Sequence, residues 1–301
     1  MKQLVSGSNG LVGKALVARF QRDGHEVHTL VRRLPEGERE IHWNPGEGEL
    51  ASDRLEGFDS VVHLAGESIA EGRWTEAKMK RIRDSRVLGT RLLCERLAAL
   101  RDRPAVLICA SAVGFYGDRA NELLDERSEP GSGFLADVCR EWEAATELAR
   151  QAGIRVVNLR LGVVLSKDGG ALAKMLMPFK LGVGGRIGSG RQWMSWIELD
   201  DLVDVIRHAI STDSLHGAVN AVSPEPVTNA EYTKTLGRVL RRPTVLPMPA
   251  LGARLAFGKM ADDLLLASTR VEARSLREHG FQHSRPELEG ALRYVLGGGS
   301  S

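Results

Sequence analysis

Two textures alternate along the first half of the chain: short compact apolar runs, and longer stretches whose apolar residues recur at helical spacing. Leu4-Val5 is a short β-like run, and Leu11 to Phe20 then repeats apolar residues every three to four positions. Gly24 breaks that pattern and Val27 to Val31 is β-like again. Ser60 to Leu64 predicts the next strand, Arg83 to Leu100 a long helix, and Ala105 to Ala110 a strand. Glu141 to Ala152 predicts a helix and Val156 to Leu161 another strand. This βαβα rhythm predicts an α/β fold, a doubly wound parallel sheet covered by helices. No internal repeat or low-complexity tract interrupts it.

The second half changes texture. Gly182 to Gly190 is a glycine-rich loop with one arginine, Arg186, and Leu199 to Ile210 predicts a helix with an acidic start. Pro243, Pro247 and Pro249 punctuate a linker. The pattern predicts a large domain over 1–246, a small, mostly helical C-terminal unit over 247–296, and a flexible Gly-Gly-Gly-Ser-Ser tail over 297–301.

Composition narrows the function classes. The 301 residues are 43% hydrophobic and 27% charged, as in an ordinary globular protein, and the formal net charge is +2. That balance is too small to imply a nucleic-acid or membrane partner. No 18-residue apolar run predicts a transmembrane span, and the first residues lack a signal-peptide pattern. Cys94, Cys109 and Cys139 lie far apart with no CxxC pair, so they read as free thiols in a reducing compartment, the cytoplasm. The basic run Lys78 to Arg86 reads as a solvated helix face with Arg86 turned inward.

The first chemical signal is Leu4 to Leu16, "LVSGSNGLVGKAL", in which Gly7, Gly10 and Gly13 are spaced by threes. A helix N-terminus carries unpaired N–H groups and a positive dipole end, and glycines let a phosphate come close. Strand, glycine turn, helix is the required context for a Rossmann-like nucleotide site, although the spacing is GxxGxxG rather than GxGxxG. The end of the second strand then separates NAD from NADP. A NAD site places an acid there to bind the ribose 2′-hydroxyl. This chain has Arg32 and Arg33, whose guanidinium groups suit a 2′-phosphate, so the expected cofactor is NADP(H).

Further motifs resemble the extended short-chain dehydrogenases/reductases of the NAD-dependent epimerase/dehydratase superfamily. "FDSVVHLAG" (58–66) resembles their DxxxHLAG element, "SRVLGTRLL" (85–93) their NxxGTxxLL helix start, "SAVGFYGD" (111–118) their SSxxVYG strand end, and "WIELDDLVDVI" (196–206) their FIHVDDVA segment. The stretches "LRLGVVLSKDGGALAKMLMPFKLGVGGRIGSGRQWMSWI", "GAVNAVSPEPVTNAEYTKTLGRVLRRP" and "EHGFQHSRPELEGAL" resemble the atypical "epimerase family protein" subgroup, which binds NADP and carries a short C-terminal domain of unknown function. The resemblance covers about 1–296. It implies that Gly7, Asn9, Gly10, Leu11, Val12 and Gly13 take the pyrophosphate and that Arg32 and Arg33 take the 2′-phosphate. It also implies that Leu64, Ala65 and Gly66 line the adenosine and ribose side, with Arg86 and Arg160 approaching the cofactor. Arg160 lies in an apolar stretch, where an unpaired charge is costly, so a phosphate or carboxylate partner is expected.

The proton-transfer half of the family pattern is missing. These enzymes use a tyrosine, a lysine four residues on that lowers its pKa, and a serine that orients the substrate oxygen. The residues four beyond Tyr116, Tyr232 and Tyr294 are Ala120, Leu236 and Gly298, so no YxxxK exists. In the aligned segment "GFLADVCREWEAA", Phe134 takes the tyrosine position and Val138 the lysine position. Ser111 is the candidate serine, although counting back from Tyr116 puts Ala112 there; the usual histidine of FIHVDD is Glu198. Tyr116, at a strand end, is the first replacement acid/base, with Asp137, His63 and Glu141 behind it. Trp193 and Trp196 fit either a substrate-pocket wall or ordinary core. Two readings follow: an NADP(H)-dependent oxidoreductase or epimerase acting on an unknown small carbonyl or sugar-like substrate, or a non-catalytic NADP(H)-binding sensor or interaction module. Either allows a homodimer.

Overall fold

The computed structural model describes residues 1–297; of the expected tail, 298–301 lie outside the described residues and Gly297 closes the last helix. In chain order the elements begin with β1 (Lys2–Ser6), α1 (Leu11–Arg22), β2 (Glu26–Val31), β3 (Glu40–Asn44), β4 (Glu49–Leu50), β5 (Ser60–His63) and α2 (Glu76–Ala98). They continue with β6 (Val106–Ala112), β7 (Leu123–Leu124), α3 (Phe134–Ala144), α4 (Glu147–Gln151), β8 (Arg155–Leu161), β9 (Val163–Leu165) and α5 (Gly170–Lys180). Then come β10 (Trp193–Met194), β11 (Trp196–Glu198), α6 (Leu199–Ser211), β12 (Gly217–Ala221), β13 (Val227–Thr228) and α7 (Asn229–Leu240). The C-terminal part holds α8 (Ala250–Phe257), a π-helical turn at Ala261–Leu266, β14 (Arg270–Val271), α9 (Arg274–Glu278) and α10 (Leu288–Gly297).

The main sheet has the order β12-β8-β6-β5-β1-β2-β3-β4, parallel except for the antiparallel edge strand β4. The apolar strands are buried on both faces, and alternate residues feed opposite cores. Val5, Val62, Ile108 and Val157 join Leu16, Phe20, Leu202 and Ile206 from α1 and α6. Their neighbours Leu4, Val61, Leu107 and Val156 join Leu93 and Leu97 of α2 and Ala149 of α4. The strand order reverses between β1 and β5, so the crevice beyond their C-terminal ends is the expected ligand position in such a sheet.

Three boundaries differ from the pattern. Helix α2 starts at Glu76, because the Thr75 hydroxyl caps it by accepting from the Lys78 N–H at 3.2 Å. The helix expected over 141–152 is two, α3 and α4. The first begins at Phe134, after Gly133 at φ +107°, and Thr146 between them donates to the Glu143 carbonyl at 2.7 Å. The polar strands β3 and β4 have no apolar run to announce them.

The C-terminal segment is built into the larger body. Leu288, Ala291, Leu292 and Val295 of α10 share a core with Leu165, Trp196, Tyr232 and Leu236, and β14 pairs with β7. Among the described residues no helix is long and apolar enough to cross a membrane.

Candidate functional site

The glycine turn is forced by close packing. Gly7 has φ +70°, and a Cβ on it would stand 2.8 Å from backbone atoms of Leu64 and Ala65. A Cβ on Gly13 would stand 2.2 Å from the Gly7 carbonyl oxygen. Gly10 is the N-cap of α1 and offers no side chain to the helix, and the first turn holds no acid. The N–H groups of Leu11, Val12 and Gly13 are therefore left pointing out of the helix end, a ready anion site. Asn9 is exposed beside them, and the Leu11 side chain packs under Gly169 and Gly170.

The Ser6 hydroxyl ties β1 to the turn after β5: it accepts from the N–H groups of Leu64 at 3.2 Å and Ala65 at 3.3 Å, and pairs with His63 Nδ1 at 2.6 Å. His63 is wholly buried with Nε2 unpartnered, and burial pushes its pKa down to about 4. It is a structural histidine.

The two arginines after β2 differ. Arg33 donates to both Glu40 oxygens, at 2.8 and 2.6 Å, and lies 3.2 Å from Glu36. Arg32 is exposed and makes no hydrogen bond or ion pair among the described residues; its charge helps hold the Glu67 carboxyl low, after the larger effect of Lys78. Lys78, a member of the basic run, is itself buried against Glu67 at 2.7 Å. Arg86 does turn inward: it donates to the carbonyls of Glu67 at 3.0 Å and Ile82 at 3.1 Å, its guanidinium lies against Gly66, and it sits over the Trp142 ring. It has no carboxylate partner among the described residues, and burial depresses its proton affinity.

Ser111, Tyr116 and Arg160 come together, but not as a reactive set. Arg160, 4% exposed, donates to both Glu143 oxygens at 2.8 and 2.9 Å and to the Tyr116 hydroxyl at 2.9 Å. Ser111, 2% exposed, donates to the same Glu143 at 2.7 Å. Tyr116 is 0% exposed, and its hydroxyl donates to Asn220 Oδ1 at 2.8 Å. Burial pushes the Tyr116 pKa up to about 12 against the pull of Arg160. Both roles of the Tyr116 hydroxyl, the first candidate proton donor, are therefore filled within the protein, and the side chain has no exposed surface. Of the two partners weighed for Arg160, a phosphate or a carboxylate, the structure shows an internal carboxylate, Glu143. Burial opposes the charge on Arg160, but Glu143 and Tyr116 outweigh it and hold the pKa above its ordinary value.

The weaker candidates are also occupied. Asp137 pairs with Arg140 and Glu141 with Arg83, both on the surface. Glu198 is buried and caps α6, accepting from the Asp200 and Asp201 N–H groups at 3.1 and 3.3 Å. Trp196 is core, its Nε1 donating to the Glu225 carbonyl at 3.0 Å, while Trp193 is half-buried against Arg270. At the expected tyrosine position, Phe134 stacks edge-on against Trp74, ring centroids 5.4 Å apart, among Ile69, Ile82, Met260 and Leu264.

A glycine turn closed by β5, under an uncapped helix at a strand-order reversal, has clear relatives. Residues 3–221 match the NAD dependent epimerase/dehydratase family and residues 248–295 match a domain of unknown function, DUF1731. The chain belongs to the NAD dependent epimerase/dehydratase family. It is 45% identical over 292 residues to the epimerase family protein Mb2239 of Mycobacterium bovis, covering 97% of this chain and 96% of that one. The crystal structure of human epimerase family protein SDR39U1 (isoform 2) with NADPH superposes with a TM-score of 0.92 at 35% identity, covering 99% of this chain and 100% of that one. A nucleoside-diphosphate sugar epimerase from Corynebacterium glutamicum gives 0.81 at 40% identity, covering 99% of this chain and 58% of that one. The family resemblance drawn from the motifs therefore stands, as does the Rossmann-like fold.

Glu143 and Asn220 escaped the sequence reading, and Lys78, read there as part of a solvated helix face, is in fact buried against Glu67. The one signal for Glu143 was the demand that Arg160, in an apolar strand, find an anion.

Proposed function

We propose that this protein binds NADP(H) and works as an oxidoreductase or epimerase-like enzyme on a small carbonyl or sugar-like compound. The observation that carries the reading is the tightly closed Gly7–Gly13 turn, where a Cβ on Gly7 or Gly13 would collide with backbone of the β5 end or of the turn itself, together with Arg32, which has no partner among the described residues. The residues fit the cofactor: the free N–H groups of Leu11, Val12 and Gly13 suit a pyrophosphate, and Arg32 suits a 2′-phosphate. Leu64, Ala65 and Gly66 offer an uncharged wall for adenosine and ribose, and Arg86, without a carboxylate partner among the described residues, offers a half-buried cation next to Gly66. The NADPH carried by the human relative supports the assignment. When bound, NADPH supplies a hydride. The chain's own task is to orient the acceptor, exclude water and move one proton. The three buried free thiols suit a reducing compartment, and we place the protein in the cytoplasm.

A second reading, cofactor binding without turnover, is favoured by Phe134 and Val138 at the tyrosine and lysine positions and by the burial of Tyr116. Calorimetric titration with NADPH and NADH tests the shared claim: tighter binding of NADPH is expected, and equal or absent binding overturns it. NADPH consumption across a panel of aldehydes, ketones and nucleotide sugars then separates the readings. Turnover supports the enzyme, and binding with no turnover supports the sensor.

A further inference from the structure

We propose that Asp263, delivered by the C-terminal segment, is the catalytic proton-transfer residue that replaces the absent tyrosine. The inference rests on the reductase reading above. Asp263 lies in the π-helical turn Ala261–Leu266, a wide turn of the kind that recurs at functional sites. Its Oδ1 stands 3.9 Å from the point a Cβ on Gly133 would occupy, beside the first residue of α3, Phe134. That is the end of the helix where the family places its tyrosine, so a carboxyl group from another part of the chain stands beside the residue that precedes the tyrosine position, which Phe134 fills without a proton donor.

The surroundings suit an acid. Phe134, Ile69, Trp74, Met260 and Leu264 form one apolar cluster around this junction. Asp263 is half-buried and makes no hydrogen bond or ion pair among the described residues. Asp262, its neighbour, is by contrast exposed and held by Arg254 at 2.9 Å. Burial, and then the Asp262 charge, push the Asp263 carboxyl above the ordinary aspartate range. Ionisable groups on the elements packed here include Asp137, paired with Arg140, and Glu141 and Glu143 on α3, Glu71 and Arg73 on the loop before α2, and Arg254 and Lys259 on the C-terminal side. The apolar walls favour a carbonyl compound with an apolar body.

In the reduction, the carbonyl carbon gains a hydride from NADPH, the C=O π bond breaks, and the carbonyl oxygen takes the proton of the Asp263 carboxyl. An alcohol, NADP⁺ and the Asp263 carboxylate result, and the carboxylate regains a proton from water. In the reverse direction Asp263 is the base.

The test compares wild type, Asp263→Asn, Asp263→Glu and Asp262→Asn. Each is titrated with NADPH and assayed for NADPH oxidation with apolar aldehydes, apolar ketones and UDP-sugars. Asp263→Asn is expected to keep its NADPH affinity within about twofold and to lose about 100-fold or more in kcat. Asp263→Glu should restore part of the rate, and Asp262→Asn should stay near wild type. Independently of turnover, carbon-13 spectra of the unliganded protein should show one aspartate Cγ, missing in Asp263→Asn, titrating above the ordinary range. The assignment is overturned if Asp263→Asn retains the rate, if wild type binds NADPH yet reduces nothing, or if that Cγ titrates normally. Failure of the wild type to bind NADPH overturns the cofactor reading itself, and shows in the titration before any carbonyl is added.

Discussion

Glu143 grips Arg160 with both carboxylate oxygens, at 2.8 Å to Nε and 2.9 Å to Nη2, and the remaining Arg160 nitrogen holds the Tyr116 hydroxyl. The pair thus occupies the end of β8 and the C-terminal part of α3, and Ser111 on β6 closes the network. Removing one partner leaves a buried charge uncompensated. Glu143→Ala is expected to cost about 3–5 kcal/mol of stability. Replacing both residues by apolar ones of similar volume, Glu143→Leu with Arg160→Met, should cost less than Glu143→Ala alone. Urea unfolding of the three variants measures this; a loss under about 1 kcal/mol for Glu143→Ala would mean the network is solvated.

Gly13 carries a sharper constraint. A methyl group there would sit 2.2 Å from the Gly7 carbonyl oxygen and 2.8 Å from Ser8 Cα, so α1 or the turn must move. Gly13→Ala should cost about 1–3 kcal/mol through overpacking and should abolish measurable NADPH binding, because the free N–H groups of α1 shift with it. Gly37→Ala, where nothing lies within 4 Å, is the control and should leave both unchanged. Thermal melts and calorimetry together check the pair, and Gly13→Ala with intact NADPH affinity would contradict the cradle.

The contrast between these two sites shows what a linear pattern carries. The cradle was legible because all its glycines lie within seven residues and the strand before and helix after announce themselves by period. The double core was legible too, since Leu4-Val5, Val61-Val62 and Leu107-Ile108 each send neighbours to opposite faces. The Tyr116 environment was not. Its partners Arg160 and Asn220 lie 44 and 104 residues away, and only the adjacency of β6, β8 and β12 unites them. Helix α3 was missed at its start because "GSGF" reads as a loop, while Gly133 in fact turns the chain into the helix at positive φ. Nothing in the sequence pointed to Asp263, whose position depends on how a segment without clear periodicity folds back onto α3.

Arg32 and Arg33 are adjacent in sequence but not equivalent. Arg33 is committed to Glu40, whose carboxyl it holds below the ordinary range, whereas Arg32 has no partner among the described residues. Arg32→Ala should therefore remove most of the preference for NADPH over NADH, weakening NADPH by about 10- to 100-fold, the size of one charge-assisted phosphate contact of about 1.5–3 kcal/mol. Arg33→Ala should change the preference by less than about threefold, since its main partner is a carboxylate of the protein. Parallel titrations with both cofactors decide it, and a larger effect from Arg33→Ala would reverse the assignment.

His63 couples the same site to pH. It is wholly buried at the end of β5, and its pKa falls from 6.5 to about 4, so the folded protein holds it neutral while the unfolded chain protonates it near 6.5. Between those values the unfolded state binds the extra proton, and stability falls as pH falls. The contribution is fully present above about pH 7 and declines from there to pH 4, to a total of about 3 kcal/mol at the acid end. His208 and His283 are also depressed by burial and add to the slope, so the wild-type profile alone is not diagnostic. His63→Asn removes the titrating group. The variant should be less stable at pH 7, because the buried ring is lost, and its stability should decline less steeply between pH 6.5 and 4.5, by up to about 1.4 kcal/mol per pH unit. Urea denaturation at half-unit pH steps compares the slopes, and identical slopes would show that His63 titrates alike in the folded and unfolded chains.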